Sequence, residues 1–195
     1  DHPGEQVQIV TGHLGVPRNH PDYDALTVFD HIFGAGPGFT DRLSRIVRDE
    51  MGLAYSIGGG FTDTADVAPG MFRVFVGTMP EEADRVVTAV HEQIQAMKNG
   101  AFSDEEVDRA RRYLAGAWVF EYQTVEQRAE RLLELERWQL GLDEPIHWPE
   151  RIAQVTAKEV RQAAQAHIHL ESLCRVEYGP IKRGRRSLNV GIDCA

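Results

Sequence analysis

Three arginines and one tyrosine are the residues whose types and spacing most clearly suggest binding chemistry. Arg42, Arg45 and Arg48 recur every three residues, and Tyr55 follows Arg48 seven positions later. An arginine fork can bind a carbonyl or carboxylate oxygen, and a tyrosine hydroxyl can donate a hydrogen bond to the same atom. If Arg48 ends a helix and Tyr55 begins the next strand, both side chains converge at one end of a sheet. The residue types alone favour a structural alternative, in which Arg48 pairs with an adjacent acid and Tyr55 packs at a strand end.

A second candidate is the glycine cluster of residues 34–38, which contains Gly34, Gly36, Pro37 and Gly38. A phosphate-binding loop needs a Lys-Ser or Lys-Thr ending, or a glycine fingerprint that directly follows a strand. This cluster follows a predicted helix and contains no lysine. The sequence therefore favours a flexible connection between two helices over a nucleotide site.

The eight histidines do not form a zinc-peptidase motif, because neither His-Glu-x-x-His nor His-x-x-Glu-His occurs. On a strand, the spacing of His167, His169 and Glu171 would direct three ligands to one ion. They lie at the end of a predicted helix, where this spacing diverges and where the helix dipole favours histidine. We therefore expect no metal on this chain. An independent metal enzyme built on these three residues stays open as an alternative.

Composition excludes several classes of function. The 195 residues carry 21 Lys and Arg against 30 Asp and Glu, a net charge of −9, and 42% of them are hydrophobic. This length fits one large domain or two small ones. The acidic balance argues against a nucleic-acid partner. No apolar run approaches the roughly 20 residues that cross a bilayer, so we predict no integral membrane segment.

Charge is distributed unevenly along the chain. Residues 181–195 contain four basic residues and one acid, so their local charge is +3 and residues 1–180 carry −12. Short terminal segments of this kind are usually unstructured. We therefore predict one folded domain over residues 1–180, followed by a basic tail that is disordered or foreign to the domain.

Predicted strands and helices must position these side chains. Alternating apolar residues predict strands over residues 6–12, 54–61, 71–78 and 172–178, and the polar linker 62–70 predicts that the middle two form a hairpin. The predicted helices cover residues 21–33, 40–51, 80–99 and 103–141, with a break near 123–124, and two more begin at 148 and 156. Capping boxes mark two starts, at Ser103 and Thr156. The order β-α-α-β-β-α-α-α-α-β is typical of an α+β fold with helices packed on an antiparallel or mixed sheet.

The segment from Phe39 to Ser56 also resembles a family signature. Its sequence FTDRLSRIVRDEMGLAYS is similar to the signature of the pitrilysin/insulinase family of zinc peptidases, in the C-terminal half that lacks the zinc motif. The likeness extends over residues 7–180. It includes the PDYDAL opening that begins at Pro21, the glycine cluster, and the SDEEV helix start at Ser103.

The resemblance implies a two-part enzyme. Two homologous α+β halves, on one polypeptide or on two, close over an extended peptide, and the other half supplies the zinc motif and the Glu general base. This half supplies Arg48 and Tyr55, which orient the substrate backbone and stabilise charge at the cleaved carbonyl. Gly34, Gly36 and Gly38 form a mobile loop that contacts substrate. The chain itself then binds no cofactor, and the zinc belongs to the partner half.

Two further points depend on the resemblance. The alternative function is a scaffold or interaction subunit that kept the fold without proteolysis, as in the core subunits of respiratory complexes. The presence of both Arg48 and Tyr55 favours the peptidase half. Bacterial members are often exported, so a periplasmic location is the first expectation and a cytoplasmic one stays open.

Overall fold

Alternating side chains direct one face of a four-stranded sheet into the core. The computed structural model describes residues 5–180, and its strands are β1 (Val7–Leu14), β2 (Ser56–Gly60), β3 (Met71–Thr78) and β4 (Cys174–Tyr178). Their order in the sheet is β2-β3-β1-β4, and every neighbouring pair is antiparallel. In the register, Ile9 lies opposite Val76, and both face the core. The predicted hairpin is confirmed, since β2 pairs with β3.

Six α-helices occur within the described part of the chain. They are α1 (Tyr23–Phe33), α2 (Ala83–Lys98), α3 (Asp104–Ala117), α4 (Val125–Trp138), α5 (Glu144–Gln154) and α6 (Ala157–His167). A π-helix (Ser44–Glu50) lies between α1 and β2, and short 3₁₀ turns cover Pro37–Phe39, Trp118–Tyr122 and Leu170–Ser172. The α+β class predicted from the sequence is confirmed.

The core lies between the sheet and helices α1, α2 and α6. Four buried phenylalanines form its centre: the rings of Phe61 and Phe72 are 4.6 Å apart, and those of Phe29 and Phe33 are 5.3 Å apart. Helix α1 packs on β2 and also contacts α3, α5 and α6. This packing fixes the position of the segment between α1 and β2, which carries the candidate site.

The opposite face of the sheet is apolar as well, but it is exposed. Val10 on β1 lies between Phe75 on β3 and Val176 on β4, and the exposed fractions of these three residues are 40%, 41% and 60%. A solvated face of an antiparallel sheet is ordinarily polar. The described chain therefore leaves one broad apolar surface uncovered.

The break predicted near residues 123–124 is confirmed: the chain tightens into a 3₁₀ turn, and Thr124 caps a new helix with Gln127. Two other helix predictions need refinement. The helix predicted over 40–51 is mostly a π-helix. Helix α5 begins at Glu144, and the prediction that Trp148 and Pro149 open it is wrong. Pro145 takes the favoured early position instead.

The predicted tail, residues 181–195, lies outside the described residues, so the domain boundary stays a prediction. Within residues 5–180, no helix has both the length and the apolar character that a membrane span requires.

Candidate functional site

The helix that carries Arg48 starts at a buried acid. Asp41 accepts two hydrogen bonds from Ser44, one from its backbone N–H and one from its hydroxyl, each at 2.9 Å. Burial raises the pKa of Asp41, while the bonds from Ser44 act in the opposite direction. This is the geometry of a helix N-cap, which satisfies N–H groups that have no partner within the helix. The start of the helix is thereby fixed against the core.

The wider turn of the π-helix separates the three arginines. The Met51 N–H donates to the Ile46 carbonyl at 3.0 Å, an i to i+5 bond, so residues three apart do not share a face as on an α-helix. Arg42 donates to Gln93 and Ala101, and Arg45 pairs with Glu50 at 2.6 Å. The three guanidinium groups therefore differ in their hydrogen-bond and ion-pair partners.

Arg48 lies over an aromatic ring. Its guanidinium carbon is 3.9 Å from the centre of the Phe39 ring, and its Nη1 is 3.4 Å from the Asp49 carboxylate. Phe39 is 54% exposed and has a left-handed backbone, with φ of 62°. A cation over the face of a ring is held by the ring quadrupole while its N–H groups stay free to bind an acceptor. Phe39 thus positions the Arg48 guanidinium, a role that the sequence did not reveal.

Tyr55 is fixed through its backbone and not through its ring. Gly52 takes a left-handed conformation, with φ of 65°, and turns the chain from the π-helix toward β2. The Tyr55 N–H then donates to the Gly77 carbonyl at 2.8 Å, and the buried Thr78 hydroxyl donates to the Leu53 carbonyl at 2.6 Å. The Tyr55 side chain is 77% exposed. Its hydroxyl has no hydrogen-bond partner among residues 5–180.

Arg48 and Tyr55 therefore flank one turn, and both project toward solvent. No hydrogen bond joins their side chains within the described residues. Each of the two side chains offers hydrogen-bond donors to a ligand.

The glycines of the cluster differ in their surroundings. A Cβ on Gly34 would lie 2.7 Å from the backbone N of Gly59, and one on Gly36 would lie 2.9 Å from the His31 carbonyl. Gly34 also accepts a hydrogen bond from the Gly59 N–H at 3.1 Å. Gly38, with φ of 61°, has open space around it. Two of the three glycines permit close packing of the loop, and Gly38 lies at its open tip.

His167, His169 and Glu171, the alternative metal site, do not come together as three ligands within residues 5–180, although His169 lies 3.8 Å from Glu171. His167 instead pairs with Asp22 at 2.7 Å, and His20 accepts a hydrogen bond from the Asp22 N–H at 3.1 Å. These three residues are the one group in residues 5–180 whose ligand atoms lie close enough for a metal, within 4.8 Å of one another. Their atoms are already hydrogen-bonded to each other, and they join α1 to the end of α6.

His169 packs beside a different histidine. Its backbone N–H donates to His13 Nε2 at 3.1 Å, while His13 Nδ1 lies 2.7 Å from the Leu14 carbonyl. This pattern requires a neutral His13 ring with its proton on Nδ1. Burial lowers the pKa of His13, which agrees with that assignment. These histidines stabilise the fold.

A buried acid that the sequence did not reveal fixes the end of β2. Asp30, only 3% exposed, accepts hydrogen bonds from the Phe61 and Thr62 N–H groups and from the Thr62 hydroxyl, all between 2.6 and 2.9 Å. Burial raises its pKa to about 7 despite these bonds. Gly60 permits this approach, because its Cβ would lie within 2.6 Å of the Asp30 carboxylate.

The chain matches the sequence model of a known family. The sequence model of the peptidase M16 inactive domain matches residues 1–114, more than half of the chain.

Individual relatives agree with that match. A zinc protease of Streptomyces coelicolor is 28% identical over 164 residues, which are 83% of this chain and 34% of that protein. A non-peptidase homolog of Helicobacter pylori is 26% identical over 148 residues, 73% of this chain and 32% of that protein. This chain thus spans about a third of the length of these relatives. Among solved structures, a peptidase M16 inactive domain from Pseudomonas fluorescens superimposes with a TM-score of 0.81 and 28% identity, over 92% of this chain and 42% of that one.

Proposed function

The chain belongs to the peptidase M16 inactive domain family, and on that premise we propose that it is the substrate-clamping half of a zinc metallopeptidase. A homologous half, on the same polypeptide or on a partner subunit, carries the zinc and hydrolyses the peptide. The present chain binds the extended substrate and presents its carbonyl to that centre. Its sequence contains neither form of the zinc motif, so it does not cleave peptides alone.

The chemistry divides between the two halves. Zinc held by the partner half would supply an activated water and a Lewis acid for the substrate carbonyl. On this half, Arg48 donates to the peptide backbone from its position over Phe39, and the Tyr55 hydroxyl donates to the carbonyl oxygen as negative charge develops there. Two donors that are already in place need little rearrangement during the reaction.

One observation carries the proposal. Arg48 is held by a ring contact and Tyr55 by a backbone hydrogen bond, yet the Tyr55 hydroxyl and most N–H groups of Arg48 are not used by the fold. The bond from Arg48 to Asp49 is long, at 3.4 Å, and it leaves most of the guanidinium N–H groups available. Water satisfies these exposed donors in the free protein, and a bound ligand can take its place.

The test uses the assembled enzyme with both halves. Replacement of Arg48→Ala or Tyr55→Phe should each lower kcat/KM by about 10²–10³-fold, the usual effect of losing one transition-state donor. Arg112→Ala is the matched control, since Arg112 is exposed on α3 and should change kcat/KM less than twofold. Parental activity in the Arg48→Ala, Tyr55→Phe double variant would refute the assigned role.

The exposed sheet face supports the existence of a partner half. Val10, Phe75 and Val176 form an apolar surface that the described chain leaves open, and the curated relatives are about three times as long as the matched region. We propose that the zinc-bearing half covers this face. With the two halves expressed as separate chains, Val176→Glu should then prevent their co-purification, while Glu92→Gln, at an exposed position of α2, should not.

A second candidate is a non-proteolytic scaffold of the same fold. The name of the Helicobacter pylori relative, a non-peptidase homolog, favours it. A scaffold would bind its partner half but tolerate loss of Arg48 and Tyr55. The co-purification assay and the kinetic assay together separate the two functions.

A further inference from the structure

A cleft of about 520 Å³ lies next to the glycine cluster, on the side of α3. We refer to it as the arginine cleft. The side chains that give it its chemical character are those of His31, Arg42, Arg45, Glu106, Arg109 and Tyr113. Helix α1, the Pro37–Phe39 turn, the π-helix region and α3 form its walls. None of the roles given above to Arg48 or Tyr55 uses it.

The cleft is basic within an acidic protein. Three guanidinium groups line it against one carboxylate, that of Glu106, although residues 1–180 carry a net charge of −12. Glu106 is already engaged, because it accepts the Ser103 N–H at 2.8 Å in the capping box of α3. The local charge therefore favours an anionic ligand.

The guanidinium groups differ in how far they are neutralised. Arg45 is paired with Glu50, whereas Arg42 donates to two neutral acceptors, the Gln93 side chain and the Ala101 carbonyl. Arg109 is exposed, and it has no hydrogen-bond acceptor or ion-pair partner in the part of the chain that the structure covers. Arg109 is the cation that remains available to a ligand.

A flat ring pair stands beside this cation. The rings of His31 and Tyr113 are 4.8 Å apart and inclined by 31°. Burial, together with the charge of Arg109, lowers the pKa of His31, so its ring is neutral at pH 7. Ile32, Pro37 and Ala110 extend this surface with hydrocarbon. A small inorganic anion would leave the rings and the hydrocarbon uncovered, while a carboxylate on an organic body would contact both.

We propose that the arginine cleft binds a carboxylate of a peptide, with Arg109 contacting the carboxylate and the His31–Tyr113 pair contacting the adjacent side chain. The proposal rests on the proposed function only in taking the carboxylate to be part of a peptide. An acidic side chain and a C-terminal carboxylate offer the same chemistry, and a guanidinium binds either of them. The cleft then selects which part of a substrate lies along this half.

The test measures direct binding of three five-residue peptides to the intact chain by isothermal titration calorimetry. The first has one internal glutamate and an amidated C-terminus, the second has glutamine there and a free C-terminus, and the third is neutral at both places. We expect the first or the second to bind about fivefold more tightly than the third, the effect of one solvent-exposed charge pair. Which of the two binds identifies the source of the carboxylate.

Arg109→Gln should abolish this preference, and Arg112→Gln should preserve it. Arg112 lies on the same helix but does not line the cleft, and it donates only to the Asp108 carbonyl. Raising the salt concentration should weaken the preference in the parent chain. Equal affinity for all three peptides, or a preference that survives Arg109→Gln, would overturn the proposal.

The outcome is separable from that of the proposed function. Suppose that Arg109→Gln loses the carboxylate preference while the Arg48 and Tyr55 variants keep full peptidase activity. The proposal that the arginine cleft binds a carboxylate would then be supported, and the proposed role of Arg48 and Tyr55 would be rejected. If the Arg48 and Tyr55 variants lose activity while Arg109→Gln keeps the carboxylate preference, the role of Arg48 and Tyr55 is supported and the binding role of the cleft is rejected. Circular dichroism of each variant confirms that it remains folded.

Discussion

Residues 34–60, which include Arg48 and Tyr55, contrast with residues 104–167, which form α3 to α6. The first region has a π-helix and left-handed backbone at Gly38, Phe39 and Gly52. In the second, three of the four helices begin with complete capping boxes. The donors of Arg48 and Tyr55 lie in or beside irregular backbone, whereas the second region is mostly regular helix, with left-handed residues at Gln139 and Gly141 between α4 and α5. This is the pattern expected when a scaffold supports a functional loop.

The two regions also differ in the range of the interactions that hold them. A capping box joins residues three apart, so the sequence of each helix determines its own start. The segment around β2 depends on Asp30, which is about 30 positions away in the chain. The irregular region should therefore respond strongly to changes at distant contacts, and the helices should respond weakly to local ones.

The largest expected effect is the pH dependence that Asp30 confers. Its pKa is about 7 in the folded protein against about 4 when unfolded, because burial outweighs its hydrogen bonds. The folded state thus holds this proton more tightly. Its contribution is fully present below pH 4 and is lost as the pH rises through 7, a decrease of about 4 kcal/mol in the free energy of unfolding.

Urea unfolding of the parent and Asp30→Asn proteins between pH 4 and 8 measures this effect. The asparagine side chain does not titrate, so the variant should show a flatter profile across this range. Parallel profiles would mean that Asp30 is ionised in the folded state as it is in the unfolded chain. In that case, the hydrogen bonds from Asp30 to the end of β2 would form without a shift in the pKa of Asp30.

The next effect is steric and tests the same anchor. Gly60→Ala places a Cβ against the Asp30 carboxylate, which must move and leave the Phe61 N–H poorly bonded. Overpacking and one weakened buried donor together should lower the free energy of unfolding by about 3 kcal/mol. Thermal unfolding followed by circular dichroism measures the loss. A stable Gly60→Ala variant would show that the irregular region adapts to distant changes.

Much of this contrast could be predicted from the sequence where local rules act. The capping boxes at Ser103 and Thr156 and the β2–β3 hairpin are local patterns, and the structure contains all of them. The π-helix could not be predicted from the sequence, because the spacing of Leu43, Ile46 and Val47 suits an α-helix equally well. Its wider turn depends on how the segment is fixed at both ends by Asp41 and by the chain after Gly52.

The candidate site could be predicted from the sequence only in part. Physical reasoning from residue types favoured a structural role for Arg48 and Tyr55, and the family resemblance indicated the functional one. Phe39 and Arg109 gave no signal, since a stacking partner and an unpaired cation are defined by neighbours in space. Pro149 misled the prediction of α5, because Pro145 satisfies the same rule four residues earlier.

A smaller effect is expected at a helix cap in the regular region. The Thr156 hydroxyl accepts the Glu159 N–H at 3.3 Å, and the Glu159 carboxylate accepts the Thr156 N–H at 2.7 Å. Thr156→Ala removes the first bond and the bond that the Thr156 hydroxyl donates to the Glu159 carboxylate at 2.8 Å, and it should lower the free energy of unfolding by about 1 kcal/mol. Urea unfolding at pH 7 measures the change, with Thr156→Ser as the variant that keeps the cap. A loss as large as that of Gly60→Ala would remove the proposed distinction between the regions.

The smallest effect should have the opposite sign. Gly116 lies inside α3, it is exposed, and a Cβ added there meets no atom within 4 Å. Alanine has the higher helix propensity, so Gly116→Ala should raise the free energy of unfolding by about 0.7 kcal/mol. Paired with Gly60→Ala in the same thermal unfolding assay, one substitution is then stabilising in the regular region and destabilising in the irregular one. If Gly116→Ala instead weakens the assembly with the zinc-bearing half while the isolated chain gains stability, the exposed side of α3 is itself a contact surface, and glycine is retained there for close approach.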